Sequence, residues 1–583
     1  MKGFFNRVLR INLSDQSWKP EEIDDQVYRT YLGAKGLGTY LLFVNNPAGT
    51  DPLGPENHLI FAVGCSADTK VHGSSRYGIF TKSPLTDIYS ESYSGGRVAE
   101  AISRTGYDAI MLEGISTRPV YLEISDKGVR FHEATHLWGK DTYTTEDQVL
   151  NEVGQKGAQA VVIGPAGENL VRFSVVENNY WRSAGRSGPG TVMGSKKVKA
   201  IVFYGNRKRD VARPEILEEH WERMIEKGKD DQGVKIYRKL GTPMMVAILN
   251  KVGSFPSRYW SEGNPKHWEK LTADYLLENF KVKATACPKC FMACGKLTEV
   301  LKGRHKGLKI EGPEYETIYS FGGLCMIDSL EEIAYLNDIC DRMGMDTITA
   351  GNLCAFAIEA ALRGKIDFPI DYGDVDAVAK LLWMIARKEG IGAVLAEGIR
   401  FASHEWGLED IAIHVKGMEP AGYDPRVLKG MGLAYAVSDR GACHLRATFY
   451  KPELAGIIDP DKIEGKAELF VKYEDRLTIF DTFVLCRFFR DLILWEDIQV
   501  LLEGITGENF TIGELGKVAA NITDLTRKFN LREGITAEDD CLPERFYKER
   551  LPESGKSIEK KDLEKMRGEY YRLRGWDAKG IPG

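Results

Sequence analysis

The sequence lacks long apolar runs, a strong charge of one sign and a large number of cysteines. No stretch approaches the roughly 20 apolar residues that a membrane span needs, and the opening residues, MKGFFNRVLRINLSD, carry charges where a signal peptide would be apolar. We therefore expect a cytoplasmic protein without a membrane partner. The formal net charge of −6 gives no reason to expect a nucleic acid partner.

Cysteine is scarce, since the chain has 10 cysteines in 583 residues. This number is too small for a disulfide scaffold. Most of these cysteines are scattered among apolar residues, which is typical of small buried hydrophobic side chains. Three of them, however, fall close together in ATACPKCFMACGK, residues 284–296.

A chain of 583 residues exceeds the size of one hydrophobic core, about 250–300 residues, so several domains are expected. The first 200 residues contain short β-branched or aromatic runs that predict strands, namely RVLRINL, HLIFAVG, YGIFTK, DAIMLEG, PVYLEIS, QAVVIGP and KAIVFYG. Apolar stripes at helical spacing follow, in PEILEEHWERMIEKGK, SLEEIAYLNDICDRMG and VDAVAKLLWMIARKEG, the last of which we expect to end on glycine.

We predict an α+β fold with three domains. Residues 1–208 form a β-rich N-terminal domain, and the polar segment NRKRDVARPE marks its end. Residues 209–417 form a mainly helical domain that contains the three-cysteine loop. Residues 418–583 form a C-terminal helical domain.

The three clustered cysteines, Cys287, Cys290 and Cys294, have the spacing C-x2-C-x3-C. A [4Fe–4S] cluster needs four thiolates, of which three commonly come from one loop. Zinc also accepts four ligands, but these usually come in CxxC or Cys/His pairs, and purely structural thiols are the third interpretation. Cys486, which lies between apolar residues in FDTFVLCRFFR, is the candidate fourth ligand.

Two glycine-rich segments contain arginines, SSRYG (74–78) and NNYWRSAGRSGPG (178–190). Arginine binds phosphate with a planar fork, and glycine lets backbone N–H groups approach an anion. The segments therefore indicate a large phosphorylated cofactor, unless they are only turns with surface arginines. The aspartates of DRMGMD and DTFVLC, Asp341 and Asp481, could accept N–H groups from two similar rings; the alternative is two helix-end aspartates.

These segments, taken in order, resemble one family, the tungsten-containing aldehyde ferredoxin oxidoreductases. The resemblance covers nearly the whole chain and includes YLGAKGLG, SSRYGIFTKSPLTD, RSAGRSGPGTVMGSKKVKAI, ACPKCFMACG, GPEYETI, NDICDRMGMDTI, AGYDPR, GLAYAVSDRGACHLRA and DTFVLC. It implies tungsten, or molybdenum, held by two pterins whose phosphates are bridged by Mg2+, with a [4Fe–4S] cluster nearby. It also implies that the β-rich domain is the base of the bis-pterin site and that the helical domains cover it.

The resemblance assigns roles to positions in this sequence. The pterins, their phosphates or magnesium are implied to contact Arg76, Tyr93, Gly95, Arg182, Ser183, Gly185, Asp341, Met345, Asp346, Asp481 and Leu485. The cluster ligands are implied to be Cys287, Cys290, Cys294 and Cys486. This chain departs from the family at Tyr93, where asparagine is common, and at Val484, where glycine is common and where we expect mild crowding beside a pterin.

The implied reaction is the oxidation of an aldehyde with water to a carboxylic acid. Glu316 and His444 match the catalytic pair, and Glu314 is the immediate competitor of Glu316. Electrons would leave through the cluster to ferredoxin or to a ferredoxin-like partner subunit, and either a homodimer or a hetero-oligomer is compatible with this.

Two alternatives stay open at the level of sequence. The family includes the tungsten subunit of a benzoyl-CoA reductase-type complex, in which a cysteine completes the metal sphere, and Cys325 would be the candidate here. The length of the chain favours the aldehyde enzymes. The other alternative is a zinc-stabilised binding protein without redox activity.

Overall fold

A computed structural model describes all residues, 1–583, and confirms the α+β class, with strands concentrated in the first 203 residues. The strands are β1 (Arg7–Asn12), β2 (Ser17–Glu22), β3 (Leu59–Ala62), β4 (Tyr77–Lys82), β5 (Tyr89–Ser94), β6 (Ala109–Glu113), β7 (Val120–Ser125), β8 (Gly128–Glu133), β9 (Gln159–Val162), β10 (Val176–Asn178), β11 (Arg182–Ala184), β12 (Val198–Phe203), β13 (Lys281–Thr285), β14 (Gly295–Glu299) and β15 (Lys309–Glu311).

The first twelve strands form two six-stranded sheets, in the orders β2-β1-β6-β3-β4-β5 and β11-β10-β9-β12-β7-β8. Each sheet has one parallel pair, β1 with β6 and β7 with β12, and its other pairs are antiparallel. A separate three-stranded sheet, β13-β14-β15, frames the cysteine loop. All seven predicted strands are present, whereas the short or polar strands β2, β5, β8, β10 and β11 were not predicted, because they lack a β-branched run.

Helices make up most of the remaining chain, and no helix is both long enough and apolar enough to cross a bilayer. They are α1 (Asp25–Tyr31), α2 (Ala34–Asn45), α3 (Val98–Arg104), α4 (Thr142–Val153), α5 (Pro165–Glu168), α6 (Pro189–Ser195), α7 (Pro214–Asp230), α8 (Gln232–Leu240), α9 (Met245–Val252), α10 (Ala273–Asn279), α11 (Tyr315–Thr317), α12 (Leu330–Met343), α13 (Thr347–Leu362), α14 (Val375–Arg387), α15 (Ile391–Leu395), α16 (Ile399–Trp406), α17 (Lys429–Val437), α18 (Tyr450–Leu454), α19 (Lys466–Phe483), α20 (Trp495–Thr506), α21 (Ile512–Arg532), α22 (Glu544–Lys548) and α23 (Lys560–Arg574).

The three predicted helices correspond to α7, α12 and α14. Pro214 occupies the first turn of α7, where its missing N–H costs nothing, and the Ser329 side chain caps α12. Helix α14 ends earlier than predicted, at Arg387, because Lys388 adopts a left-handed conformation that closes it before the glycine. The predicted domain boundaries at 208 and 417 remain predictions.

Three apolar clusters hold the fold together. One of 78 buried residues lies mainly among the helices after residue 244, and one of 28 lies within and between the two large sheets. A third, of 37 residues, joins the first sheet to helices α19, α20 and α21. The last third of the chain therefore packs directly on the N-terminal sheets.

Helix α12 reaches the second sheet through a close backbone contact. Gly164, just after β9, packs against the end of α12 so tightly that a Cβ there would lie 2.3 Å from the Met343 carbonyl oxygen. Thr142 Oγ1 donates to the carbonyl of Asp341 at 2.8 Å. Gly344, with φ of 77°, then closes the helix.

Helix α19 reaches the first sheet in the same way. A Cβ on Gly64, just after β3, would lie 2.2 Å from the Phe483 carbonyl oxygen, and Ser66 Oγ donates to that carbonyl at 2.8 Å. Here Val484 closes the helix with φ of 56°. A non-glycine residue in the left-handed conformation costs about 1–2 kcal/mol. Valine at position 484, where the family commonly has glycine, therefore strains the backbone at the end of α19.

These contacts predict that Gly64→Ala and Gly164→Ala each lower the thermal midpoint, because overpacking of this kind costs about 1–3 kcal/mol. Gly568→Ala is the matched control, since Gly568 is exposed within α23 with nothing within 4 Å of an added Cβ. It should raise the midpoint, because alanine within a helix is more stable than glycine by about 0.5–1 kcal/mol. Calorimetry of the three variants measures this, and an unchanged midpoint for Gly64→Ala would contradict the tight contact.

Candidate active site and cysteine loop

A cavity of about 210 Å³ lies where the ends of β11 and α12 meet the starts of α11 and α13. Its lining contains seven residues that the sequence predicted for the site, Ser183, Gly185, Glu314, Glu316, Asp341, Met345 and Asp346. These residues come from distant parts of the chain, and the end of α12, which is held against the second sheet as described above, brings Asp341, Met345 and Asp346 to the others.

The cavity is rich in carboxylates. Glu311, Glu314, Glu316, Asp341 and Asp346 line it, and the only cationic side chain in the lining is that of Arg186. Buried carboxylates need donors or cations. A reduced pterin offers several N–H donors and Mg2+ offers charge, so these residues fit the implied cofactor.

Asp341 shows this need most clearly. Its side chain accepts one hydrogen bond, from Asn337 Nδ2 at 2.7 Å. Burial, and then the neighbouring Asp338, raise the pKa of Asp341 well above its usual range. A ligand with N–H groups would supply the missing donors.

Glu177, on β10, is a buried carboxylate that the sequence did not reveal. Burial, and then the charge of Asp341, raise its pKa well above the ordinary value. Ser183 Oγ lies 2.9 Å from both of its oxygens. Glu177 therefore holds Ser183 in place at the edge of the cavity, while the neighbouring Arg182 forms an ion pair with Glu311.

The surroundings of Asp481, the second predicted ring-binding aspartate, are different. Arg446 and Arg487 bind its carboxylate at 3.1 Å and 2.6 Å. Arg446 also pairs with Glu91, which Lys35 binds at 2.8 Å. This half of the site is a buried ion network, whereas the Asp341 half is short of donors.

Four further predicted residues lie around this network and the cysteine loop. Leu485 is buried just after α19. Tyr93, on β5, donates from its hydroxyl to Glu91 at 2.6 Å, and its carbonyl accepts from Arg76 at 3.4 Å. A Cβ on Gly95 would lie 3.3 Å from the Cys287 sulfur, so glycine allows the loop to approach β5.

The cysteine loop, 287–294, connects β13 to β14, and its backbone is left-handed at Lys289 and Ala293. Gly73 joins this loop to Cys486: its carbonyl accepts from the Cys486 N–H at 2.9 Å, and its N–H donates to the Lys289 carbonyl at 3.3 Å. The predicted fourth cysteine therefore lies against the same loop as the other three.

The spacing of the four sulfur atoms bears on the choice between zinc and a cluster. One zinc ion, with Zn–S distances of about 2.3 Å, would bring its sulfur ligands to about 3.8 Å of one another. No three cysteine sulfurs in the chain lie within 4.8 Å of one another. Burial, and then Cys486, raise the pKa of Cys290 to about 12. The sulfurs are therefore not gathered into one zinc coordination sphere, and metal analysis distinguishes zinc from a cluster.

Glu316 and His444 face each other in the site. Glu316 Oε2 accepts from the Gly422 N–H at 3.0 Å, and its other oxygen lies 3.5 Å from His444 Nε2. Burial raises the pKa of Glu316 to about 8, whereas burial, and then nearby arginines beginning with Arg186, lower the pKa of His444 well below its ordinary value. Near neutral pH, a protonated carboxyl therefore faces a neutral imidazole.

Glu314 also lines the cavity, but its surroundings differ. It accepts from the Thr242 hydroxyl, and its charge contributes to the raised pKa of Cys294, after burial and Cys486. Glu314 thus lies between the cavity and the cysteine loop, whereas Glu316 lies beside His444.

Residues on either side of His444 were not singled out from the sequence. Arg440 Nη2 donates to the Cys443 sulfur at 3.0 Å. Burial alone would raise the pKa of Cys443, but Arg440 and Arg446 lower it to about 7. Arg186, whose Nε donates to Asp346 at 2.9 Å, was also missed. These three arginines and Cys443 lie inside motifs used for the resemblance, so those motifs could have identified them.

Comparison with family models identifies the chain. The model described as "Aldehyde ferredoxin oxidoreductase, N-terminal domain" matches residues 8–205, and "Aldehyde ferredoxin oxidoreductase, domains 2 & 3" matches residues 219–583. The β-rich first part and the mainly helical remainder therefore match the two parts of one oxidoreductase family. The chain belongs to the aldehyde ferredoxin oxidoreductase family, and membership implies a tungsten–pterin cofactor.

Curated relatives agree with this. The "Tungsten-containing aldehyde ferredoxin oxidoreductase" of Pyrococcus furiosus is 34% identical over 593 residues, which cover 100% of this chain and 97% of the relative. The protein of the same name from Pyrococcus horikoshii is 35% identical over 596 residues, with 100% and 97% covered. The "Aliphatic sulfonate oxidoreductase, WOR-like subunit" of P. furiosus is 29% identical, with 100% and 96% covered.

Among solved structures, the "Active site complex BamBC of Benzoyl Coenzyme A reductase in complex with 1,5 Dienoyl-CoA" has the same fold. Its TM-score is 0.86 at 23% identity, and the alignment covers 100% of this chain and 96% of that one. At this identity the likeness concerns the fold alone.

The raised pKa of Glu316 gives a test in the apoprotein. Unfolded glutamate loses its proton near pH 4.5, whereas folded Glu316 keeps it until about pH 8. The folded state therefore binds more protons in this window, and its stability falls as the pH rises, by at most about 1.4 kcal/mol per pH unit. Glu316→Gln has no carboxyl to titrate and does not lose stability in this way. The thermal midpoint of the variant, relative to that of the wild type, should therefore rise from about pH 5 to pH 8.

Glu538→Gln, which changes an exposed side chain, is the control for this measurement. Thermal scans across the pH range compare the three proteins. A constant difference between wild type and Glu316→Gln at every pH would contradict the raised pKa.

Proposed function

We propose that this protein oxidises aldehydes to carboxylic acids, with water as the source of oxygen. Electrons would pass through a [4Fe–4S] cluster to ferredoxin or to a partner iron–sulfur subunit. The observation that carries the proposal is the donor-poor, carboxylate-lined cavity beside both the Glu316–His444 pair and the cysteine loop. The names of the full-length relatives supply the substrate class.

The proposed cofactor contacts follow the two halves of the site. One pterin would be held by Ser183, Gly185, Asp341, Met345 and Asp346. The other would be held by Arg76, Tyr93, Gly95, Asp481 and Leu485, with Arg182 and Mg2+ at the phosphates. The cluster would be bound by Cys287, Cys290, Cys294 and Cys486; Cys287 lies against Gly95 and Cys486 is hydrogen-bonded to Gly73.

When bound, tungsten supplies the Lewis acidity and the two-electron capacity that the reaction needs. The chain's own residues supply the proton handling. Neutral His444 Nδ1 is buried without a partner and can accept a proton from water. The Glu316 carboxyl can donate to an aldehyde oxygen, and it could exchange a proton with His444 Nε2 once the 3.5 Å between them shortens to hydrogen-bond distance on ligand binding.

The cavity and the loop also suggest how electrons leave. Glu314 and Arg182 both lie between them: Arg182 has a raised pKa because Cys287 and Glu311 outweigh its burial. A short polar bridge of this kind would hold the cofactor close to the cluster. One relative is described as a subunit, so a partner chain is compatible with this fold, and we propose that such a partner would carry an iron–sulfur centre. We also propose a cytoplasmic location.

The benzoyl-CoA reductase-type alternative gains no support from the residue that it would use. Cys325 is fully buried among the helices, where its thiol donates to the Gly351 carbonyl at 3.4 Å. It does not line the cavity. Benzoyl-CoA is therefore included in the test as a counter-substrate.

Oxygen-free purification, metal analysis and an activity screen test the proposal. We expect tungsten or molybdenum, about four irons per chain, and viologen reduction with short aliphatic, aromatic or sugar-derived aldehydes. Benzoyl-CoA, supplied with a strong reductant, should not be converted. Zinc without iron, or full activity in a colourless preparation without pterin, would refute the proposal.

Two variants separate the roles of the glutamates. Glu316→Gln keeps the shape of the side chain but removes its acid–base function, so turnover should fall at least about a hundredfold. Glu314→Gln should retain more activity, because Glu314 does not contact His444. Steady-state kinetics with one aldehyde and viologen measure both; an unchanged rate in Glu316→Gln, with loss in Glu314→Gln, would reverse the assignment.

A further inference from the structure

A second cleft, of about 620 Å³, lies between the N-terminal domain and the start of helix α7, outside the site described above. Its cationic residues, here called the basic cleft, are Lys70, Arg104, Lys156, Arg207, Lys208 and Arg209. Only two acidic residues, Asp68 and Glu218, share the lining. This local excess of positive charge contrasts with the net charge of −6 of the whole chain.

Half of these cations have no partner within the molecule. Lys156, Arg207 and Lys208 are exposed and form no ion pair, whereas Lys70, Arg104 and Arg209 each bind an acidic residue. Uncompensated charges gathered at one cleft create a potential that extends into solvent and attracts an acidic partner.

The basic cleft is connected to the cysteine loop. Asp68 binds Arg104 at 2.9 Å and also Lys289 Nζ at 3.4 Å, and Lys289 lies between Cys287 and Cys290. The carbonyl of Lys289 accepts from His72 Nδ1 at 3.1 Å. A molecule bound in the cleft would therefore lie beside the proposed cluster.

Aromatic side chains fill the space between the loop and the cleft. The edge of Phe291, next to Cys290, meets the ring of His72 at a centroid distance of 4.8 Å. His72 in turn stacks on the partly exposed Trp221 at 3.5 Å. Lys70 of the basic cleft lies 5.8 Å from the Trp221 ring. This surface combines an aromatic contact with surrounding positive charge, as transient protein interfaces often do.

We propose that the basic cleft and Trp221 form the docking surface for an acidic, iron–sulfur electron carrier protein. The inference rests on the proposed function, because it requires a reduced cluster at the cysteine loop. Each aldehyde oxidised yields two electrons, which leave one at a time. In each transfer the enzyme's cluster is oxidised by one electron and the cluster of the carrier is reduced by one.

The size and charge of the surface favour a small acidic protein. Electron carriers bind weakly through small interfaces, often below about 1,200 Å², and gain association rate from opposite charge. A nucleic acid is the alternative polyanion, but three unpaired cations give little of the phosphate neutralisation on which its binding depends. Nucleic acid binding is therefore made an outcome of the test.

The test uses the holoenzyme and reverses the unpaired charges with Lys156→Glu/Arg207→Glu/Lys208→Glu. A matched control, Lys266→Glu/Lys561→Glu/Lys579→Glu, makes the same change in net charge at exposed lysines of the helical domains that also lack ion pairs. Turnover is measured with an acidic single-cluster ferredoxin and, separately, with a small viologen. Direct binding of the ferredoxin is measured by titration at low and high salt.

We expect kcat/KM for ferredoxin to fall at least about tenfold in the cleft variant at low salt, with weaker ferredoxin binding and unchanged viologen turnover. Salt should reduce the difference, because it screens exposed charges. The control should behave as the wild type. Equal losses in both variants, or wild-type ferredoxin binding in the cleft variant, would overturn the proposal.

Two further outcomes distinguish the docking proposal from the proposed function and from nucleic acid binding. A wild-type protein without aldehyde-dependent viologen reduction refutes the proposed function, while ferredoxin binding still tests the docking surface. A single-stranded oligonucleotide that binds the wild type more tightly than ferredoxin does, and loses this binding in the cleft variant, would assign the surface to nucleic acid and overturn the docking proposal.

Discussion

The whole site depends on the close approach of two helix ends to two sheets. Gly64 and Gly164 lie at equivalent places, just after β3 and β9, and each touches the last carbonyls of a helix that ends beside an aspartate. Because these contacts involve backbone on both sides, they constrain the positions of Asp341 and Asp481. The N-terminal sheets thereby fix residues that lie hundreds of positions later in the chain.

This arrangement concentrates buried charge, and the two halves of the site deal with it differently. Around Asp481, arginines neutralise the carboxylates within the protein. Around Asp341, burial leaves the pKa of Asp341, Glu177 and Glu316 raised. Burial of unpaired polar groups is costly, so a ligand that donates hydrogen bonds to the Asp341 half would offset that cost. A cofactor that donates hydrogen bonds would stabilise the fold as it binds.

The sequence predicted the fold class, the seven apolar strands and the helices with clear stripes, because periodicity and capping are local signals. It also selected seven of the fifteen residues that line the cavity, through the order of motifs rather than through spacing. It could not show that Glu177 contacts Ser183, since β10 is three residues long and carries no pattern. Nor could it show that Glu316, and not Glu314, lies beside His444, because both glutamates belong to one short motif and only the packing of the Gly422 backbone separates them.

The same limit applies to the electron path. The cysteine spacing indicated a cluster, but the surface beside it is assembled from residues 68–72, 104, 156, 207–209 and 221, which share no motif. Lys289, inside the cysteine loop, links the two through Asp68. The ion pairs from the cysteine loop reach Arg104, which lines the same cleft as the unpaired cations, and this arrangement would give an incoming carrier both attraction and proximity. The geometry that holds the cysteine loop against the N-terminal domain would therefore also determine where electrons leave the proposed cluster.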